Sequence, residues 1–96
     1  DAEAVARGRA LFRRARCTRC HAGRDLTNGQ TRDVGTGGAL SVPSLIGVAD
    51  RLPVMHDGCA DTLRRRFDPD CGGDEHGPTD LTEAQIDDLV AYLASL

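Results

Sequence analysis

The stretch Cys17-Thr18-Arg19-Cys20-His21 decides how the rest of this chain is interpreted. Two thiols are separated by two residues, and an imidazole follows the second thiol directly. Sulfurs at this spacing reach one edge of a porphyrin, and the adjacent imidazole reaches the iron at its centre. This is the recognised attachment motif for c-type haem. The sequence therefore predicts one haem c (iron), covalently attached through Cys17 and Cys20, with His21 as an iron ligand.

The same stretch has two other possible interpretations, of which a zinc site remains open at this point. A Cys-x-x-Cys pair is also half of a zinc site, which scattered residues would have to complete: His56, Cys59, Cys71 or His76. That interpretation makes the chain a zinc-binding interaction module. A redox dithiol requires a βαβ context, and the sequence shows no such pattern.

Length and composition limit what the chain can be. At 96 residues we expect a single domain over 1–96, and this chain has no Trp, one Tyr and two Phe. Aromatic side chains bury the most area, so the core is thin and a large planar cofactor would help to fill it. The net charge of −3 argues against nucleic-acid binding, which needs a basic surface. No apolar run is long enough to span a membrane.

The charges are distributed unevenly along the chain. Residues 1–24 carry seven Arg and two acidic residues, whereas residues 57–88 carry ten acidic residues and three Arg. Such asymmetry either orients a docking partner or simply forms two solvated faces. Arg16 and Arg19 flank the attachment motif, so we expect them to meet an acidic redox partner, to neutralise haem propionates or to face water.

Helices are predicted at both ends of the chain. Residues 3–15 place Val5, Gly8, Phe12 and Ala15 on one narrow stripe. Glycine is unfavourable inside a helix, so Gly8 indicates a close crossing by another helix. The C-terminal helix starts at a capping box of Thr82 and Gln85. Its apolar face comprises Ile86, Leu89, Val90, Leu93 and Leu96.

The middle of the chain shows no strong periodicity. Residues 22–42 are rich in Gly and Asn, and we expect a long ordered loop. A short helical turn is predicted at 44–48, and a short helix at 61–67 with Asp61 as its N-cap. Residues 68–80 are expected to form another loop. With no convincing strand, the predicted class is all-α.

Further matches in the correct order make the chain resemble class I cytochrome c. They are Gly8 and Phe12 before the motif, Pro43, Leu45 and Gly47 after it, and the pair Tyr92 and Leu93 near the end. The resemblance implies the cytochrome c fold, in which the terminal helices cross and short middle helices and long loops surround one haem. It also implies that Pro43 and Leu45 belong to the haem site. The Pro43 carbonyl would accept a hydrogen bond from the His21 Nδ1–H.

A second resemblance covers residues 26–64. The runs at 26–29, 33–38, 42–48, 56–58 and 62–63 are similar to the C-terminal haem domain of the bacterial dihaem cytochrome c peroxidase and MauG family. That family carries two haem motifs, whereas this chain has one, and Val54 stands where an aromatic hydroxyl is common. The resemblance implies an alternative function, the haem domain of a peroxidase-type oxidoreductase. Such a domain needs an open or displaceable distal site and a polar group such as His56 or Asp57.

Met55 is the predicted sixth ligand. It is the only methionine and lies 34 positions after His21, with Pro53 restricting its approach. Thioether ligation raises the reduction potential, as suits an electron carrier. A core-filling Met55, ligation by His56 and an open iron site remain alternatives. His76 is expected to be a solvated loop histidine.

The two remaining cysteines, Cys59 and Cys71, are expected to form a disulfide. Haem c is attached outside the bacterial cytoplasm, where thiols meet an oxidising environment. We therefore expect a periplasmic or otherwise extracytoplasmic location. The chain lacks an initiator Met and a signal peptide, so we expect a processed protein or a domain of a larger one.

These expectations lead to a function. The chain is predicted to be an electron-transfer protein with His/Met-ligated haem c rather than an enzyme, because no acid–base or nucleophilic side chain is required. Its partners would be redox proteins that dock near the haem edge.

Overall fold

Two terminal helices joined by short elements make up the fold. The computed structural model describes residues 1–35, 37–78 and 80–96. The elements in chain order are α1 (Ala2–Arg14), a 3₁₀ turn (Cys17–Arg19), β1 (Thr31–Asp33), β2 (Ala39–Ser41), two further 3₁₀ turns (Val48–Arg51 and Arg64–Phe67), α2 (Gly73–His76) and α3 (Glu83–Ala94). No helix among the described residues is long and apolar enough to cross a membrane.

Helix α1 begins one residue before its predicted start. The Asp1 side chain accepts a hydrogen bond from the Glu3 N–H, which satisfies one of the free donors at a helix start. Gly8 and Phe12 of the predicted stripe are buried. Leu11, which was not predicted to belong to the stripe, is buried as well. The buried face is therefore wider than the predicted one.

Helix α3 confirms the predicted capping box. The Thr82 side chain accepts from the Gln85 N–H at 3.1 Å, and the Gln85 side chain accepts from the Thr82 N–H at 2.9 Å. Ile86, Leu89 and Leu93 of the predicted apolar face are buried.

The two terminal helices cross at Gly8, as predicted. A Cβ atom at this position would lie 2.0 Å from the Asp88 carbonyl oxygen and 2.7 Å from the Tyr92 Cβ. Beside the crossing, the Phe12 and Tyr92 rings pack with centroids 5.2 Å apart. This crossing anchors one continuous core, whose buried members are Leu11, Phe12, Val48, Leu63, Phe67, Ile86, Leu89 and Leu93.

A small β-hairpin corrects the all-α prediction. β1 pairs antiparallel with β2, and Arg32 lies opposite Leu40. Each strand has only three residues, and five of the six side chains are exposed. Strands this short show no apolar alternation in the sequence, which is why a loop was predicted over 22–42. Thr36, part of the run at 33–38, lies outside the described residues.

Three short helical segments also differ from prediction. The turn expected at 44–48 forms instead at Val48–Arg51. The helix expected over 61–67 is a 3₁₀ turn from Arg64 to Phe67, and Asp61 is not its cap. A one-turn helix, α2, interrupts the loop expected over 68–80, of which Thr79 lies outside the described residues. Helices of one turn gain few hydrogen bonds, so tertiary packing decides where they form.

Candidate haem site

The motif Cys17–His21 is wound into a single tight turn after α1. Arg16 adopts a left-handed conformation with φ of 64°, which turns the chain away from the helix. The Cys17 carbonyl then accepts from the N–H groups of Cys20 and His21 at 3.3 and 2.9 Å. Both motif cysteines are free and half-buried, so two thiols and an imidazole are presented from one turn.

The His21 ring is oriented by two backbone carbonyls. Its Nδ1 lies 3.2 Å from the Pro43 oxygen and 3.2 Å from the Leu26 oxygen. The predicted bond to Pro43 is thus present, and the bond to Leu26 is an addition that the sequence did not indicate. Because carbonyls only accept hydrogen bonds, Nδ1 carries the proton. The other nitrogen, Nε2, keeps its lone pair for a metal ion.

Hydrogen bonds from two side chains fix the residues that precede Pro43 and Leu26. Thr27 Oγ1 donates to the Val42 carbonyl at 2.6 Å, next to Pro43. Ser44 Oγ donates to the Asp25 carbonyl, next to Leu26. The segments before and after the hairpin are therefore fastened together beside the His21 ring.

The predicted site residues meet in one cavity of about 850 Å³. Its walls include all of them: Cys17, Cys20, His21, Pro43, Leu45 and Met55. Phe12, Phe67, Leu89 and Leu93 add apolar surface from the core. The volume lies within the roughly 300–1,000 Å³ typical of cofactor and ligand pockets. Arg16 and Arg19 also line this cavity and are exposed.

Burial sets the protonation of the motif side chains. Removal from water raises the pKa of the Cys17 thiol and lowers the pKa of His21. Both shifts favour the uncharged forms. A neutral imidazole is the form of histidine that binds a metal ion.

The distal candidates occupy different places in the cavity wall. Met55 is half-buried and has a left-handed backbone with φ of 70°, which is uncommon for a residue with a side chain. His56 also lines the cavity, but its side chain is exposed and lies near Gly37.

The expectation that His76 is a solvated loop histidine is wrong. It ends helix α2, lines the cavity and has a buried Nδ1. Burial, Arg66 and His21 together lower its pKa to about 3, so the ring is neutral at pH 7. Its position in a loop rich in Gly and Asp suggested exposure, and no local pattern indicated that the turn folds inward.

The second cysteine pair forms the predicted disulfide. Cys59 and Cys71 are bonded, with Cα atoms 5.7 Å apart. Bonded sulfurs are not thiolate ligands, so they do not complete a zinc site with Cys17 and Cys20. Among the residues that the structure describes, no group of three or more His, Cys, Asp or Glu side chains could hold a metal ion.

Comparison with known families decides what this arrangement represents. Residues 5–96 match the family model described as Cytochrome c. The chain belongs to the cytochrome c family. Crossed terminal helices fit the fold of that family, which binds haem c covalently and commonly transfers electrons. The comparisons with curated proteins and with solved structures gave no match, and the resemblance to the dihaem peroxidases and MauG is not confirmed.

The residues of this cytochrome fit the haem that its family implies. Two free thiols are available for covalent attachment, and a neutral imidazole with an oriented Nδ1 is available for the iron. Most of the cavity lining given above is apolar, as a porphyrin face requires. His76 adds a second imidazole, whose buried Nδ1 has no hydrogen-bond partner among the residues that the structure describes.

Proposed function

We propose that this chain carries one haem c on Cys17 and Cys20, with His21 as an axial ligand, and works as an electron-transfer protein. One observation carries the proposal. The three motif side chains line a single cavity of about 850 Å³, and the His21 ring is already oriented by the Pro43 carbonyl.

The protein would supply attachment, orientation and a shielded environment. When bound, the haem iron supplies reversible one-electron chemistry. Cys17 and Cys20 fix the macrocycle, and the Leu26 and Pro43 carbonyls keep the proton on His21 Nδ1. The apolar walls exclude water from the faces of the ring. None of these roles moves a proton during the reaction, so an electron carrier needs no other catalytic group.

An extracytoplasmic compartment, such as the bacterial periplasm, is part of this proposal. The Cys59–Cys71 disulfide supports it, because structural disulfides persist in oxidising compartments.

Redox partners would dock at the cavity mouth beside Arg16 and Arg19. Both guanidinium groups are exposed there, and an exposed basic edge attracts an acidic partner surface. We expect the rate of reaction with such a partner to fall steeply with ionic strength. Arg16→Gln and Arg19→Gln should flatten that dependence, whereas Arg14→Gln, on α1 and not in the cavity lining, should change it less.

We expect a group of the cavity wall to fill the sixth position of the iron, and the sequence alone predicts Met55 for it. Peroxidase-type chemistry is the second candidate and requires an iron position that peroxide can reach. Met55 and His76 both line the cavity with groups able to ligate iron. This favours electron transfer over peroxide turnover.

The test is attachment and redox cycling of matched cysteine variants. The chain is produced with a bacterial haem-attachment system, and haem that resists acid–acetone extraction is measured as the pyridine complex. We expect one covalent haem per chain, reversible one-electron titration and little peroxide turnover. The Cys17→Ala/Cys20→Ala variant should lose the covalent haem, while Cys59→Ala/Cys71→Ala should keep it. A colourless wild-type protein that binds zinc would refute the proposal, and rapid peroxide turnover would favour the second candidate.

A further inference from the structure

Two imidazole rings face the same cavity at close range. The His21 and His76 centroids are 6.3 Å apart, and the ring planes are inclined by 76°. His21 directs Nδ1 to the backbone carbonyls of Leu26 and Pro43. The opposite edge of that ring, which carries Nε2, is therefore left for a metal ion.

The separation of the two rings suits one metal atom between them. Metal–imidazole nitrogen bonds are about 2.0–2.1 Å long, so two imidazoles on opposite sides of one metal ion have centroids roughly 6 Å apart. The observed 6.3 Å matches this spacing. It also lies at the wide end of the range of about 4.5–7 Å for edge-to-face contact between two rings, so the spectra described below distinguish ligation from simple ring packing.

The backbone around His76 is built to bring this ring inward. Gly72 has φ of 87°, and a Cβ there would lie 2.9 Å from the Met55 Cε and 3.1 Å from the His76 Cβ. A Cβ at Gly77 would lie 2.8 Å from Arg66 Nη2. Glycines on both sides of α2 thus allow close packing that other residues would obstruct. The disulfide at Cys71 ties the start of this turn to the segment after Met55.

Gly72 also makes room for the His76 ring itself. A Cβ atom at Gly72 would lie 3.5 Å from His76 Nδ1, which is buried and has no hydrogen-bond partner among the described residues. Because Nδ1 lies beside Gly72, Nε2 is the ring nitrogen that would bind a metal ion.

Met55 occupies a neighbouring place in the same wall. Its methyl group approaches Gly72, at the turn that carries His76. The thioether therefore packs beside the turn, whereas the His76 ring is the group that faces His21. The geometry favours the imidazole over the thioether as the group opposite His21.

We propose that His76 is the second axial ligand of the haem iron, opposite His21, and that Met55 packs beside it. This inference rests on the proposed haem attachment at Cys17 and Cys20. Replacing a thioether ligand by an imidazole lowers the reduction potential, because the thioether favours ferrous iron. The chain would then serve a lower-potential step than a His/Met cytochrome.

The test compares His76→Ala, His76→Met and Met55→Leu with the wild type, and uses His56→Ala as the control at an exposed histidine. Optical and near-infrared spectra of the oxidised proteins report the spin state and the methionine-to-iron charge-transfer band. We expect a low-spin wild type without that band, and Met55→Leu and His56→Ala should match it. His76→Ala should become high-spin or gain the methionine band, and added imidazole should restore the wild-type spectrum. His76→Met should show the band and a raised potential.

A wild-type methionine band that Met55→Leu removes and His76→Ala preserves would overturn the inference. A wild type that is high-spin at neutral pH would also overturn it. If His76→Ala does not accumulate, the wild-type near-infrared spectrum together with Met55→Leu still decides between the two ligands. Pyridine spectra of the denatured proteins report covalent haem independently of the sixth ligand. A failure of the proposed function is thereby distinguished from a failure of this inference.

Discussion

Gly8 of α1 lies so close to Asp88 of α3 that a Cβ atom at residue 8 would come within 2.0 Å of the Asp88 carbonyl oxygen. An ordinary side chain at this point would push the two terminal helices apart. Because Phe12 and Tyr92 pack beside the crossing, the same displacement would open the core next to the haem cavity.

Gly8→Ala should therefore destabilise the protein. Alanine is better than glycine in a helix by up to about 1 kcal/mol, but overpacking at a close contact costs about 1–3 kcal/mol. We expect the steric cost to exceed the gain, which a urea unfolding curve of the haem-loaded protein would show. Ala6→Gly, at an exposed position of the same helix, should lose only the difference in helix propensity between alanine and glycine, about 1 kcal/mol. A Gly8→Ala variant more stable than the wild type would show that α1 and α3 do not approach each other so closely at Gly8.

Thr27→Val should weaken the support of the His21 ring. The Thr27 hydroxyl donates to the Val42 carbonyl at 2.6 Å and accepts from the Gly29 N–H at 3.1 Å, and valine keeps the shape without either bond. We expect a loss of about 1–3 kcal/mol in unfolding free energy, the usual contribution of two such bonds, and a shift in reduction potential as Pro43 becomes less constrained.

The control for Thr27→Val is Thr31→Val, at an exposed position in β1. It should change stability by no more than about 0.5 kcal/mol. Equal effects of the two substitutions would show that the Thr27–Val42 bond does not support the site.

Removing the disulfide should loosen the turn that carries His76. Cys59 and Cys71 are separated by 12 positions, and closing a loop of this size contributes about 3 kcal/mol in the chain-entropy model. Cys59→Ala/Cys71→Ala should therefore lose about that much unfolding free energy. We also expect its low-spin haem spectrum to be lost at a lower temperature than that of the wild type.

Chemical reduction provides the matching control for the disulfide. A reductant that leaves the haem attached should lower the stability of the wild type and leave the double variant unchanged. An identical haem spectrum and potential in both forms across the temperature range would show that the disulfide does not restrain the distal side.

Thr82→Ala should shorten the start of α3. The capping box pairs the Thr82 and Gln85 side chains with each other's backbone N–H groups. Loss of an N-cap costs about 1 kcal/mol, which denaturant unfolding would detect. Ser41→Ala, at an exposed position in β2, is the control and should have a much smaller effect. Equal losses of unfolding free energy in Thr82→Ala and Ser41→Ala would show that the capping box does not stabilise α3.

Patterns that lie close together along the chain were predictable. The capping box joins residues three apart, and the apolar face of α3 repeats every turn, so local sequence specifies both. Gly8 indicated a crossing because glycine destabilises a helix interior, and a close contact with a second helix is a position where a side chain would not fit. The predicted Pro43 bond to His21 came from resemblance to a family, and the structure contains it.

The hairpin and the short helical turns were not predictable in the same way. β1 and β2 have three residues each, and a one-turn helix such as α2 makes too few internal hydrogen bonds to form alone. Each forms because other parts of the chain hold its ends. The Cys59–Cys71 bond does this for the segment that leads into α2.

The sequence by itself determined the two terminal helices, the capping box of the second and the grouping of two thiols with an imidazole at 17–21. These features depend on residues within one or two turns of each other. Only the tertiary structure decided that His76, 55 positions beyond His21, turns into the same cavity and faces it at 6.3 Å. The physical reason is that this placement depends on two glycines, a distant disulfide and the packing of Arg66 and Met55, which no local pattern records.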